Sequence, residues 1–318
     1  MQNSANYTPA DIRTAIRAST LSELQKGRLI KKLKVFPSWG QLPDSIKWNV
    51  CRAKLSRGCW DWLGWDCRTD WAHGIHRGGS PIPLWDGRPC KLLVVAEEGV
   101  GDEIMAASCF GELFQKNPDT VVECDERLVS VFSRSFGHRF VPRVVKWEDR
   151  EGDMILPMLD VLPMFRASPS ACPGVPYLVP DPVRVEFWRD TLPFHTGVAW
   201  KSRHGRRKPP PIDAVSLQYG EAGGLQTPFF DGFYQPDLDP VKDFGDQINL
   251  IAALDRVVSG PMSVVHAAGA LGIEAHVIMP AIGTGDVHNT LHWRYECGLP
   301  FYRSATVHRN WIEARKCL

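Results

Sequence analysis

One short stretch near residue 100 constrains the fold of this chain more than any other. Leu92 to Ala96 is a continuous apolar run of strand length, which is typical of a parallel strand covered on both faces. Glu97 to Ile104 then contains Gly99 and Gly101 and predicts a glycine turn that leads into a helix. Ligands of open α/β sheets bind beyond the carboxyl ends of the strands. Asp102 is therefore a candidate active-site carboxylate, with a plain helix N-cap as the alternative.

Strands alternate with helices from residue 91 onward, which predicts parallel sheets and an α/β fold. In the first half, strands are predicted at 92–96, 120–124, 140–145 and 154–156 with 159–162, and helices at 105–114 and 126–136. In the second half, strands are predicted at 196–200, 215–218, 256–259 and 275–279, and helices at 183–191, 247–254 and 263–271. A proline-rich linker, residues 167–182, separates the halves. We therefore expect two Rossmann-like domains that bind ligands in the cleft between them, with boundaries at 1–84, 85–182 and 183–318.

Composition excludes some classes of protein. The 318-residue chain is 44% hydrophobic and has no apolar run long enough to span a membrane. Its first residues lack the basic and apolar segments of a signal peptide, so we expect a cytoplasmic protein. The nine cysteines are an odd number and predict reduced thiols rather than a disulfide framework. A net charge of +1 argues against a dedicated polyanion binder, although basic residues are clustered locally.

The first 84 residues predict a helical, tryptophan-rich extension. Two short helices are expected within residues 8–34, and their outward residues are mostly basic, which indicates a solvated face or contact with an acidic partner. A cluster of tryptophans follows, namely Trp60, Trp62, Trp65, Trp71 and Trp85. It predicts a layer docked on the first domain, or else a stacking platform for a sugar or base. The nearby set of Cys59, Cys67, His73 and His76 lacks the tight cysteine pair that makes zinc patterns specific.

Several segments, in this order, resemble one family. These segments are Glu97–Ile104, Glu123–Leu128, Gly197–Trp200, Val215–Gln218, Ile251–Asp255, Ser263–Gly272 and Trp293–Tyr295. The chain resembles the glycosyltransferase-like proteins related to bacterial ADP-heptose heptosyltransferases, especially relatives fused to tetratricopeptide repeats. The resemblance covers roughly residues 85 to 318 and does not extend to the N-terminal quarter.

The resemblance implies a GT-B fold of two Rossmann-like domains, and transfer of a sugar from a nucleotide donor without a metal or another cofactor. By resemblance, Asp102 is the general base that takes the proton from the acceptor hydroxyl. Helix N-termini and basic side chains would hold the donor diphosphate in place of Mg²⁺. The donor-binding candidates are Gly101, Trp200, Lys201, Arg203, Gln218, Met262, Ser263, Val264 and His266. Asp237-Leu238-Asp239 has the form of a metal-binding D-x-D, but its proline-flanked turn favours a structural role.

The chain departs from the family pattern in two segments. Pro261-Met262-Ser263 stands where relatives carry Asp-Thr-Ser, and residues 201–211 form a more basic loop than expected. We therefore expect an inverting, metal-independent glycosyltransferase that uses a nucleotide sugar. The basic segments 11–34 and 201–208 leave open a DNA glycosyltransferase that modifies a hydroxylated base. The lost Asp and Thr leave open a catalytically silent GT-B binding protein.

Overall fold

The computed structural model describes residue 40 and residues 42–55, 62, 64–67, 81–144, 146, 149–202, 205–206, 212–218, 233–239, 242–278 and 301–317. Three predicted features lie outside these ranges: the basic helices of residues 8–34, Arg203, and the Trp293-Arg294-Tyr295 segment. Of the Cys and His set near residue 70, only Cys67 lies inside them. Within the described residues, no helix is long and apolar enough to cross a membrane.

The first sheet has four parallel strands in the order β3-β2-β1-β4. Its strands are β1 (Leu92–Val95), β2 (Thr120–Cys124), β3 (Arg139–Pro142) and β4 (Met154–Pro157). Every residue of β1 is buried, as expected for an apolar strand with neighbours on both sides and helices on its faces. The predicted parallel arrangement and the central position of the Leu92 run are both present.

The second sheet has six parallel strands in the order β12-β11-β10-β5-β8-β9. Its strands are β5 (Thr196–Ala199), β8 (Ala214–Ser216), β9 (Phe233–Tyr234), β10 (Arg256–Ser259), β11 (Glu274–Ile278) and β12 (Ala305–His308). A small antiparallel pair, β6 (Lys201–Ser202) and β7 (Gly205–Arg206), follows β5. The sequence did not predict β9 or β12, because both are short and lie beside segments with little periodicity.

The helices cover both sheets. Their bounds are α1 (Asp44–Leu55), α2 (Val100–Ala107), α3 (Phe110–Lys116), α4 (Val129–Phe136), α5 (Val161–Phe165), α6 (Pro182–Thr191), α7 (Phe244–Ala252), α8 (Ser263–Leu271) and α9 (Trp311–Arg315). Short 3₁₀ turns occur at Trp65–Cys67, Glu126–Leu128, Met158–Asp160 and Pro169–Ala171. Helix α8 packs against α2 and α7, and one continuous apolar core joins the layers of the two sheets.

Two element predictions were wrong. The helix predicted at 105–114 begins earlier and is divided at Ser108, whose carbonyl accepts a hydrogen bond from the buried guanidinium of Arg166. The strand predicted at 159–162 is a 3₁₀ turn followed by α5. A short apolar run that is buried on all sides gives no period that separates strand from helix.

The described tryptophans of the N-terminal region dock on the first half. Trp65 lies edge to face with Trp48 and with Trp62, at ring-centroid distances of 5.5 and 4.9 Å. Its indole N–H donates to the Asp160 carboxylate (2.9 Å), and the Trp62 N–H donates to the Arg166 carbonyl (2.7 Å). These contacts favour a docked layer over a stacking platform for the tryptophans that the structure describes.

Two helical glycines provide a matched test of packing around α8. A Cβ on Gly269 would lie 2.2 Å from the Tyr302 ring, whereas nothing lies within 4 Å of one on Gly111 in α3. We expect Gly269→Ala to lower the free energy of unfolding by about 1 to 3 kcal/mol through overpacking. Gly111→Ala should raise it by up to about 1 kcal/mol, because alanine favours the helix. Urea denaturation measures both, and equal effects would show that Tyr302 does not pack closely on this helix.

Candidate active site

The loop between β1 and α2 holds a strained backbone. Glu98 has a positive φ of 59°, a left-handed conformation that costs a non-glycine residue about 1 to 2 kcal/mol. The Arg143 guanidinium donates to the Glu98 carbonyl at 2.8 Å and to the Glu97 carbonyl at 3.4 Å. The Glu97 side chain in turn accepts from the Leu159 amide at 2.9 Å. Strain of this kind persists only where neighbours fix it, and it marks this loop as a candidate site.

The buried carboxylate of Glu103 also fixes the position of this loop. Glu103 is fully buried; it pairs with Arg143 and accepts from the Asp125 amide at 2.8 Å. Burial raises the pKa of the Glu103 carboxyl to about 7, although Arg143 and the Asp125 amide favour its charged form. Since Arg143 contacts both Glu103 and the carbonyls of the loop, this carboxylate sets the position of the β1–α2 turn.

Asp102 lies in the first turn of α2 and is half-buried. The residue at the N-cap is Gly99, so Asp102 is not the N-cap itself but occupies the third helical position. Its carboxylate turns back over the loop, with Oδ2 3.6 Å from the position of a Cβ on Gly99. At this distance a Cβ on residue 99 would make an ordinary van der Waals contact with the carboxylate.

The first turn of α8 meets the first turn of α2. A Cβ on Gly101 would lie 2.9 Å from Cδ2 of His266 and 3.3 Å from Cα of Ser263. Real Cβ contacts are almost never this close, so glycine is needed at this position for the two helices to approach. The packing brings four predicted site residues together at the carboxyl ends of β1 and β10: Gly101, Asp102, Ser263 and His266.

A chain of hydrogen bonds orients His266, which is 2% exposed. Its Nδ1 lies 2.8 Å from the Tyr302 hydroxyl, which lies 3.4 Å from the Tyr177 hydroxyl. Tyr177 donates to the Ile104 carbonyl at 2.7 Å, and burial raises its pKa well above the usual range, so it stays protonated. The Tyr302 hydroxyl and His266 Nδ1 share one hydrogen bond, and the tautomer of the ring sets its direction. The Nε2 side of the ring lies next to Gly101.

A hydrogen bond between Gln218 and Trp200 joins the segments that follow β8 and β5 in the second sheet. The Gln218 side chain accepts from the Trp200 amide at 3.0 Å, and both residues are buried. The Trp200 ring stacks on Phe233 at 5.1 Å with an angle of 18° between the planes. Next to them, Gln247 of α7 donates to the Leu217 carbonyl at 3.2 Å. The side-chain oxygen Oε1 of Gln218 therefore accepts a hydrogen bond from the backbone amide that follows β5.

Four predicted donor-site residues remain, and the D-x-D segment is considered with them. Met262 is the N-cap of α8 and makes no side-chain hydrogen bond to its amides, while Val264 is fully buried in the core. The backbone of Lys201 begins β6, and Arg203 lies outside the described residues. Asp239 accepts from the Lys242 amide at 3.2 Å, which agrees with a structural turn at the D-x-D segment.

The sequence missed three residues that organise this site: Arg143, Tyr177 and Tyr302. Arg143 follows an edge strand, and the two tyrosines lie 125 positions apart, so no local spacing links them. Two sequence signals pointed to the site: the glycine-rich turn before Asp102, and the family resemblance that named Ser263 and His266.

Comparison with known proteins gives distant similarities. No protein-family model matches the chain. Protein FlbA of Caulobacter vibrioides is 27% identical over 241 residues, which are 60% of this chain and 40% of that protein. The chain thus spans less than half the length of this relative. Among solved structures, a glycosyl transferase of family 9 from Veillonella parvula aligns with a TM-score of 0.46 at 9% identity, covering 74% of this chain and 89% of the other. The E. coli ADP-heptose LPS heptosyltransferase II aligns with a TM-score of 0.46 at 12% identity, covering 69% and 90%.

The buried Glu103 predicts a specific pH dependence of stability. Its folded pKa of about 7 lies above the ordinary value of 4.5, so the folded state holds a proton that the unfolded chain releases. This contribution is fully present below pH 4.5 and is lost as the pH rises through about 7. We expect the wild-type free energy of unfolding to fall by roughly 3 kcal/mol over that interval relative to Glu103→Gln, since a tenfold change in proton affinity is about 1.4 kcal/mol.

Urea titrations at several pH values measure this difference, and only the slopes are compared, because Glu103→Gln also disturbs the contact with Arg143. Glu151→Gln is the control, since that carboxylate is 80% exposed. It should keep the wild-type profile. Parallel profiles for wild type and Glu103→Gln would contradict the raised pKa.

Proposed function

We propose that the chain is an inverting, metal-independent glycosyltransferase of the GT-B type, which transfers a sugar from a nucleotide-sugar donor to an acceptor hydroxyl. One observation carries the proposal: the first turns of α2 and α8, with Asp102 on one and His266 on the other, meet beyond the strand ends of two parallel sheets. Open α/β sheets bind their ligands in the region beyond the carboxyl ends of their strands. The resemblance of the sequence to heptosyltransferase-related proteins supports the same class.

The α8 side suits the donor diphosphate. The helix spans nine residues and its N-cap, Met262, gives no side-chain hydrogen bond to the first amides. Amides at a helix N-terminus favour negative charge, and in the proposed complex Nε2 of His266 donates a hydrogen bond beside them. Stabilising the departing nucleoside diphosphate in this way requires positive potential rather than a bound cation. We therefore expect excess EDTA to leave turnover unchanged.

The α2 side suits the acceptor. In the proposed reaction, the Asp102 carboxylate takes the proton of the acceptor hydroxyl while that oxygen forms a bond to the anomeric carbon. The bond from the anomeric carbon to the diphosphate oxygen breaks on the opposite face, and the electron pair leaves with the nucleoside diphosphate. One displacement of this kind inverts the anomeric configuration. Arg143 fixes the loop that precedes this carboxylate through its hydrogen bond to the Glu98 carbonyl.

Two alternatives rest on specific features of the sequence. The basic segments 11–34 and 201–208 favour a hydroxylated base in DNA as the acceptor, and retention on DNA that weakens steeply with salt would be its signature. The Met262 cap, which replaces the expected polar residues, favours a silent binding protein. Slow hydrolysis of a nucleotide sugar without acceptor, detected by mass spectrometry, separates an enzyme from a binding protein.

Asp102→Asn tests the base. The amide keeps the shape of the side chain and cannot take the proton, so we expect transfer to fall by about 10²- to 10⁴-fold while donor affinity stays within a few fold. Asp119→Asn is the matched control, because Asp119 is exposed at the amino end of the first sheet. Single-turnover rates with a nucleotide sugar and calorimetric donor affinities give both quantities. Near-normal turnover of Asp102→Asn would remove Asp102 from this role.

His266→Ala tests the donor side. A hydrogen bond to a charged phosphate contributes roughly 1.5 to 3 kcal/mol, so we expect nucleoside-diphosphate affinity to fall tenfold or more while nucleoside affinity hardly changes. His266→Gln, which keeps an N–H donor, should recover part of the loss. Tyr302→Phe should show a smaller loss, because it removes only the hydrogen bond to Nδ1. Equal weakening for nucleoside and nucleoside diphosphate would indicate a general packing defect instead.

A further inference from the structure

A pair of buried histidines lies on the second sheet, away from the α2–α8 junction. His276 is on β11 and His308 on β12, and they are 3% and 7% exposed. In the register of these parallel strands His276 pairs with Thr306, so His308 is its diagonal neighbour on the same face. The Nδ1 atom of His276 lies 2.9 Å from Nε2 of His308. Two ring nitrogens therefore converge on one point under the surface.

A thiol lies beside the two imidazoles. The Sγ atom of Cys317 and one ring nitrogen of each histidine all lie within 4.8 Å of one another. The Cys317 carbonyl accepts a hydrogen bond from Arg256 at 3.3 Å. This bond connects the Cys317 segment to the first residue of β10. Cys317 itself is exposed, so a cation can reach the group from solvent. Two nitrogens and one sulfur are the ligand types that zinc prefers in proteins.

The carboxylate of Glu274 orients the ring of His276, as carboxylates do for histidines at metal sites. Oε1 of Glu274 lies 3.1 Å from Nε2 of His276, and the other oxygen of the same carboxylate lies 3.8 Å from the Arg256 guanidinium. A proton on Nε2 that is donated to Glu274 leaves the lone pair of Nδ1 directed at His308. Histidines that bind a metal typically donate their second ring N–H to a carboxylate in this manner, which fixes the tautomer.

The distances suit a tetrahedral ion after a small adjustment. Ligands about 2.0 to 2.3 Å from zinc stand roughly 3.3 to 3.7 Å apart. The nitrogens would separate slightly from 2.9 Å, and the thiolate would move inward from within 4.8 Å. The second adjustment needs only a rotation of the exposed Cys317 side chain. Binding would release the proton of the Cys317 thiol, shift the His308 proton from Nε2 to Nδ1 and leave a fourth position for water.

We propose that His276 Nδ1, His308 Nε2 and Cys317 Sγ form a zinc site, with Glu274 orienting His276. The site is separate from the proposed transfer site. His276 shares its sheet face with Val258 and Ile278, which pack with Ala314 of α9, whereas α8 packs in the other apolar core. A bound ion would fasten the α9 segment to β11 and β12 and take no part in sugar transfer.

The test measures zinc binding by the full, tag-free chain. The protein is stripped with EDTA, desalted and dialysed against micromolar zinc sulfate, and bound metal is counted by mass spectrometry. We expect one equivalent more in the wild type than in His308→Gln or Cys317→Ser. Cys90→Ser is the matched control, because this half-buried cysteine lies on the first half of the chain, beside Asn117. It should bind as the wild type does.

Two further measurements separate loss of a ligand from loss of the fold. Cobalt(II) in the wild type should give a thiolate-to-metal charge-transfer band that disappears in Cys317→Ser, a change at an exposed residue. Zinc should raise the melting temperature of wild type and Cys90→Ser, and not that of Cys317→Ser. Absence of zinc binding by the wild type would overturn the site. The same holds if binding depends on Cys67 and is unchanged in Cys317→Ser and His308→Gln, since the metal would then lie in the Cys and His set near residue 70.

Discussion

The contact of Gly101 with His266 is the constraint on which the candidate active site depends. A Cβ at Gly101 would lie 2.9 Å from the imidazole, so the two helices approach this closely only because no side chain lies between them. The approach joins the apolar layers of both sheets into one core. It also brings the N-terminal turns of α2 and α8 to one point. The close packing of α2 on α8 and the positive potential at their adjacent N-termini therefore both depend on glycine at position 101.

Buried polar groups fix this arrangement, although their desolvation lowers the free energy of unfolding. Glu103 is so fully buried that its pKa is raised to about 7, and its contact with Arg143 keeps Glu98 in a left-handed conformation. Such groups stabilise a protein less than apolar residues of the same size would, because desolvation opposes the ion pair. They do fix a geometry. Here the fixed part is the turn that carries Asp102, whereas the hydroxyls of Tyr177 and Tyr302 fix the ring of His266 from the other side.

Much of the architecture followed from local pattern. The buried run at Leu92, the strands near Thr120 and Arg256 and the helix beginning at Ser263 were predicted within a residue or two, because each has a clear period and clear ends. The break at Ser108 was missed, and the Ser108 carbonyl there accepts a hydrogen bond from Arg166, 58 positions along the chain. The strands β9 and β12 were missed because they are short and depend on their neighbours in the sheet. Residues whose role depends on contact between distant segments left no trace in local spacing.

The sequence by itself determined the alternation of strands and helices, the glycine turn before Asp102 and the helix that carries His266. These features depend on apolar period and on backbone freedom, which are properties of neighbouring residues. Only the tertiary structure decided that Gly101 contacts His266, that Gln218 binds the Trp200 amide, and that Tyr302 orients the imidazole. The convergence of three further ligand-type side chains near Cys317 was decided in the same way. Such contacts join residues tens of positions apart, and their geometry is set by the packing of whole elements rather than by any local preference.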